Sequence, residues 1–276
     1  MRGEHRNFAE IIFVILLLAS PKECEAKNLQ GFGNLKRYFT EPALEQSEGF
    51  SMTCFYKFGV VPMRDCIFLL ADKNMEATFI GFLTREGFHY SLGIRQINFD
   101  PQQDIIVDES GNDPGVYTRA HEFLRAYQRT HRYAIVVLDN AWNGSPGVEK
   151  IHNDIKANLV ETGWDEERCT VIVIDPELEV WILQDNPNVE QAFRFKQNIS
   201  LRRWLEQKGL WDASALKPAD PKKAVEDALK ATKTPRSSAI YKNITSKVSI
   251  KGCVDPAFQT LCSTMQQWFP RDGGQV

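Results

Sequence analysis

From about Met63 onward the sequence predicts an α/β domain with a mainly parallel sheet flanked by helices, and three observations predict it. Ile67–Ala71, Tyr133–Leu138 and Thr170–Ile174 are short, continuous apolar runs, the pattern of strands buried on both faces. Segments with helical apolar spacing alternate with them, as right-handed crossovers require. Each run also stops at an aspartate: Asp72, Asp139 and Asp175.

Taken in order, Ile67–Ala71 is the first strand. The helix expected over Asn74–Arg85 places Met75, Phe79, Phe82 and Leu83 on one face and stops at Gly87. A second extended segment is expected over Tyr90–Phe99, followed by a polar loop that includes Ser110–Gly115. Tyr117–Thr130 reads as a helix with Ala120, Phe123, Leu124 and Tyr127 on one side. Tyr133–Leu138 is the clearest strand. After the Asn140–Gly147 loop, Val148, Ile151, Ile155 and Leu159 mark another amphipathic helix. Past Gln184 the chain turns helical and more polar. Leu201–Trp211, Lys222–Ala231 and Ala257–Trp268 carry helical spacing, separated by Pro218, Pro221 and Pro235. The expected division is therefore an α/β core over 63–185 and a helical C-terminal region over 186–276.

Residues 1–62 fit this scheme poorly. Arg2, His5 and Arg6 precede an apolar run from Ile11 to Ala19, which has the shape of a signal peptide and is too short to span a bilayer. Glu4 and Glu10 interrupt the basic segment, and Pro21-Lys22-Glu23 stands where a small-residue cleavage site belongs. The preferred reading is an upstream extension from a misassigned start codon, with secretion as the alternative. On the preferred reading the protein is cytoplasmic and has no membrane partner. The six cysteines form no CxxC pair, so paired thiolates holding zinc are not expected and buried, reduced thiols are. With 33 basic and 36 acidic side chains the net charge is −3, so any contact with nucleic acid must come from a local basic patch. The Lys/Arg scatter from Lys217 to Lys251, with Arg202, Arg203 and Trp204, is the candidate; a solvated face is the plainer reading.

Acids at the carboxyl ends of parallel strands can converge on one crevice. Several carboxylates held close repel one another, and a divalent cation relieves that repulsion. All-oxygen ligands suit Mg²⁺ or Mn²⁺, which polarise phosphoryl oxygens. The competing role is structural, because a strand-end aspartate often caps the next helix. In Asp175-Pro176-Glu177-Leu178-Glu179-Val180-Trp181, Asp175 is expected as an N-cap and Pro176 as the first helical residue. Glu177 suits the positive end of the helix dipole. Glu179 stands among apolar residues, so it points into the crevice or snorkels to solvent.

Asp72-Lys73-Asn74-Met75-Glu76 after an apolar strand resembles a degraded TOPRIM first motif, E-G-x-[TS]-[ED]. Leu138-Asp139-Asn140-Ala141-Trp142-Asn143-Gly144 is similar to the second motif, D-x-D-x-x-G, with Ala141 in place of the second aspartate. Asp175–Leu183 resembles the N-P-C-F-E-L-W-L-L segment of RloB-like proteins, a TOPRIM-related family of bacterial defence loci. Cys253–Phe258 with Trp268-Phe269-Pro270 is similar to small proteins of methylation-associated phage-defence systems. The resemblance covers roughly residues 63–185. It implies a TOPRIM-like sheet and a Mg²⁺-dependent nuclease site. Asp72, Glu76 and Glu179 would then handle protons, and Asp139, Glu76 and Glu179 would hold the metal. It also implies other defence-system proteins as partners, with nucleic acid as a further one. Three departures bear on activity: Asp72 is one methylene shorter than glutamate, Lys73 replaces a turn-forming glycine, and Ala141 removes a ligand. A non-catalytic subunit that binds a partner or nucleic acid through the same face is therefore the alternative.

Overall fold

Strands β1 (Arg64–Leu70), β2 (Ile105–Val107), β3 (His131–Asp139) and β4 (Cys169–Ile174) form one all-parallel sheet in the order β2–β1–β3–β4. This is seen in the computed structural model, which describes residues 62–108, 111–251 and 253–271. Cys66–Leu70 and Ala134–Leu138 are fully buried, which is why these runs are apolar without alternation. The helices are α1 (Lys73–Leu83), α2 (Phe88–Leu92), α3 (Pro101–Asp104), α4 (Asp113–Leu124), α5 (Val148–Glu161) and α6 (Glu179–Ile182). The C-terminal ones are α7 (Pro187–Ala192), α8 (Leu201–Gln207), α9 (Pro221–Ala231), α10 (Ser238–Thr245) and α11 (Pro256–Trp268). The crossover from β1 runs towards β2, and those through α4 and α5 run the other way. Right-handed connections therefore place α1 and the α4–α5 pair on opposite faces. α4 packs on β1 and β3, while α5 and α11 both pack on β4.

Two expectations are corrected. Tyr90–Phe99 is not a strand. Gly87 and Gly93 take left-handed conformations, with φ of 67° and 79°, and bracket the short helix α2. Only Ile94 then pairs, in an isolated bridge to Pro270. The next strand is β2, which begins six residues beyond Phe99 and has three half-buried residues, too few to show a period. Likewise Asp175 is not an N-cap. The Asp175–Pro176 bond is cis, and α6 begins only at Glu179, after Leu178. The 1–62 extension, and with it Cys24 and Cys54, lies outside the described residues except for Pro62.

The described residues form one compact unit, because the C-terminal helices complete the core. The Trp181 ring meets Phe79 of α1 at 6.2 Å and Phe258 of α11 at 5.2 Å. Its indole N–H donates to the Asp255 carboxylate at 2.8 Å, and Asp255 in turn caps α11. α10 lies so close to α1 that a Cβ on Gly81 would meet Thr245 Oγ1 at 2.3 Å and the Lys242 carbonyl oxygen at 2.5 Å. Overpacking of this kind costs about 1–3 kcal/mol, more than the roughly 1 kcal/mol alanine gains as a helix former. Gly81→Ala is therefore expected to lower the urea midpoint; an unchanged or higher midpoint would contradict the close approach.

Candidate functional site: an acidic strand-end crevice

The strand order fixes where a ligand site belongs. From β1 the chain goes to β2 on one side, and from β2 it crosses back to β3 on the other. The crevice of such a sheet opens at the carboxyl ends of the two strands flanking this reversal, here β1 and β3. Leu70 is in register with Val137, and carrying that register on by two residues sets Asp72 opposite Asp139. Asp113, the first residue of α4, reaches the same place: its Oδ1 accepts the Asp139 backbone N–H at 2.7 Å.

Asp139 is the centre of the cluster. Burial pushes its carboxyl well above the usual carboxylate range, and the charges of Asp113, Glu179 and Asp72 push it further. A backbone donor at Leu178 opposes them. Its Oδ1 is buried and has no hydrogen-bond partner, and a buried acceptor left unpaired costs free energy. Asp113 is raised as well, by burial first and then by the charge of Asp72, against the Asp139 backbone N–H and Lys222, which favour its charged form. Two adjacent carboxyls therefore both favour a proton or a cation.

Glu179 is only 3% exposed and is not left bare. Its Oε1 accepts the Tyr241 hydroxyl at 2.6 Å and the Arg236 guanidinium at 2.5 Å. Arg236 also reaches the Tyr241 oxygen at 3.0 Å and pairs with Glu226 at 2.9 Å. Burial, then Glu179, pushes the Tyr241 phenol far up, so it stays a proton donor. Lys222 of α9 pairs with Glu177 at 2.8 Å, the role Glu177 takes in place of a helix-dipole contact. On the other side, the Asn140 amide side chain donates to Asp175 at 2.9 Å, and the Asn140 and Ala141 backbone N–H groups bond to the Pro176 carbonyl. The loop after β3 and the loop after β4 are thereby stitched together.

No family model, curated protein or solved structure matches this chain.

The reading of the site therefore rests on its side chains. Of the residues expected from sequence, Asp72, Asp139 and Glu179 are brought together electrostatically. Asp72 does double duty, because its Oδ1 also accepts the Asn74 and Met75 amides and caps α1. Glu76 lies one turn into α1 and pairs with Lys73 at 2.8 Å. The sequence reading missed Asp113, Arg236, Tyr241 and Lys222. Asn112-Asp113-Pro114 held a detectable signal, a capping residue before a first-turn proline. Arg236 and Tyr241 had none, since they arrive 57 and 62 residues after Glu179.

Among the described residues, no three His, Cys, Asp or Glu side chains are grouped closely enough to chelate one ion. Mg²⁺ does not need three, because it commonly keeps several waters and takes one or two carboxylates. The orphaned Asp139 oxygen beside Asp113 fits that pattern, with Asp72 adjacent. Glu179 fits it less well, because Arg236 already supplies its positive charge.

Proposed function

We propose that the crevice is a degenerate TOPRIM-like site for Mg²⁺-dependent phosphodiester chemistry, in an RloB-like protein that works with other proteins in antiviral defence. The observation that carries the reading is the buried, unpartnered Asp139 oxygen, held among carboxylates at the reversal point of a parallel sheet. Bound there through Asp139, with Asp113 or Asp72, the cation would supply Lewis-acid polarisation of a phosphoryl oxygen. Glu179 and Glu226 take the two terminal nitrogens of Arg236, so towards a phosphate it offers its charge rather than a free donor fork. Tyr241, held protonated, fixes the Glu179 carboxylate. Asp113, raised by burial, is the group placed to accept or return a proton.

One observation favours the non-catalytic alternative. The Glu179–Arg236 pair neutralises inside the protein a charge that a metal site would use. Both readings meet in one experiment. A site filled at ten times its dissociation constant adds about 1.4 kcal/mol, or a melting shift of about 3–6 °C for a unit of this size. Mg²⁺ and Mn²⁺ titrations should show that shift, and labelled DNA and RNA strands should be cleaved only when the cation is present. Asp139→Asn is expected to abolish cleavage and most of the shift. It should also stabilise the metal-free protein by about 1–2 kcal/mol, as relief of strain at functional sites does. The sign follows from the raised carboxyl. Its folded form holds a proton that the unfolded form has lost, so wild-type stability falls as pH rises from about 4, the unfolded value. The gap between variant and wild type should thus be absent near pH 4 and widen towards neutrality. A wild type with neither metal shift nor cleavage would overturn the catalytic reading in favour of the binding one.

A further inference from the structure

Charge is segregated along this chain. Between Arg194 and Lys251 stand fourteen Lys/Arg and five Asp/Glu residues, an excess of nine positive charges in a protein whose total is −3. Four of those cations are paired to acids: Arg202, Lys222, Lys223 and Arg236. Lys208 and Lys230 are exposed and belong to no ion pair among the described residues. These two and Lys223, which is paired with Asp227, line a depression between α8 and α9 together with Trp204, Leu210, Asp227 and Ala231. The Trp204 ring is half-buried. The edge-on ring of Phe195 lies 5.8 Å from it, and the Lys208 ammonium is 5.8 Å from its centroid.

We infer that the α8–α9 face is a docking surface for single-stranded nucleic acid, with Trp204 as a base-stacking platform and Lys208, Lys223 and Lys230 as phosphate contacts. An aromatic ring framed by cations is what a splayed-out base and its backbone require, whereas a duplex hides its base faces. An anionic membrane fits the surface less well. Interfacial helices insert large apolar side chains, and the exposed ones among the described residues lie outside α8 and α9. The surface also borders the crevice. α9 carries Lys222 to Glu177 near its start, and the segment after it brings Arg236 to Glu179. A strand lying along α9 is thus led to the carboxylates, and only this last step rests on the function proposed above.

Binding of a fluorescently labelled 20-nucleotide single strand to the full chain, followed by anisotropy in EDTA, tests the inference without involving the metal site. Binding is expected at 50 mM salt and should weaken steeply by 200 mM. Lys208→Gln with Lys230→Gln should flatten the log–log salt slope by about 1.4, since each phosphate contact on a single strand contributes about 0.7. Trp204→Ala should weaken binding about fivefold or more, and Trp204→Phe should retain most of it. The lysine variants carry the test if Trp204→Ala fails to fold. No binding at 50 mM salt, an unchanged slope in the double variant, or tighter binding to duplex or to phosphatidylserine vesicles would each overturn the inference. Loss of cleavage with strand binding intact would count against the catalytic reading alone.

Discussion

Arg236→Met is expected to lower the stability of the fold by about 2–3 kcal/mol, or roughly 5–10 °C in melting temperature. Methionine keeps much of the arginine's packing volume and removes its charge. Glu179, its side chain only 4% exposed, would then face Asp139 with Tyr241 as its hydrogen-bond partner and only the more distant charge of Lys222 to offset its own. Stranding one member of a fully buried pair costs about 3–5 kcal/mol. The Arg236 side chain is 33% exposed, so solvent screening sets the expectation below that range. Adding Glu179→Gln to the same chain should restore most of the loss, because it removes the stranded charge and keeps a hydrogen-bonding side chain. The four proteins of this cycle, unfolded in urea, give the coupling directly. A single variant within about 0.5 kcal/mol of wild type, the range of a neutral surface change, would mean that Arg236 does not hold Glu179.

The second large effect lies at the opposite end of the sheet. Asp104, at the close of α3, is fully buried. It takes a two-pronged bond from the Arg64 guanidinium, a contact from His131 Nε2 at 3.1 Å and the Asp100 amide at 2.6 Å. Burial alone would raise the Asp104 carboxyl, but the bonds from Arg64 and His131 outweigh it and hold the group below its ordinary range. Arg64→Met should cost about 3–4 kcal/mol at pH 7, since Arg64 is mostly buried and its loss leaves the buried acid with only His131 and the Asp100 amide as partners. A depressed carboxyl contributes stability above its unfolded value, near 4, and loses it as pH falls through the folded value. The gap between wild type and variant should therefore be full at pH 7 and shrink below pH 4. Urea unfolding at pH 7 and pH 3 measures it. A gap that stays constant would show that Arg64 acts through packing rather than charge.

What was legible in the sequence was whatever a short window could carry. Ile67–Ala71, Tyr133–Leu138 and Thr170–Ile174 announce buried strands because burial on both faces forbids polar side chains. They fall within β1, β3 and β4 to within a few residues, except that Ala71 lies just past the end of β1. β2 was hidden because Ile105–Val107 lies at a sheet edge and has only three residues to show a pattern. The turns at Gly87 and Gly93 hid α2, whose apolar residues Phe88 and Leu92 fit a strand as well as a helix. At the site, Asp72 and Asp139 were visible as strand ends, and Glu179 as an acid among apolar neighbours. Asp113 was masked by Ser110–Gly115, which looks like a loop until Asn112 is recognised as a cap. Arg236 and Tyr241 reach Glu179 only because α9 and α10 fold back over the strand ends, a relation that no local period records.

That fold-back sets an order of events during translation. The ribosome finishes β4 at Ile174 and makes Arg236 about sixty residues later, an interval of several seconds at about 5–20 residues per second. Throughout it the residues that carry Asp72, Asp139 and Glu179 have been made, while the Arg236 charge that pairs with Glu179 has not. Any sheet that forms before then leaves Glu179 to a proton or a solution cation, so the chain's final quarter closes the crevice electrically as well as sterically.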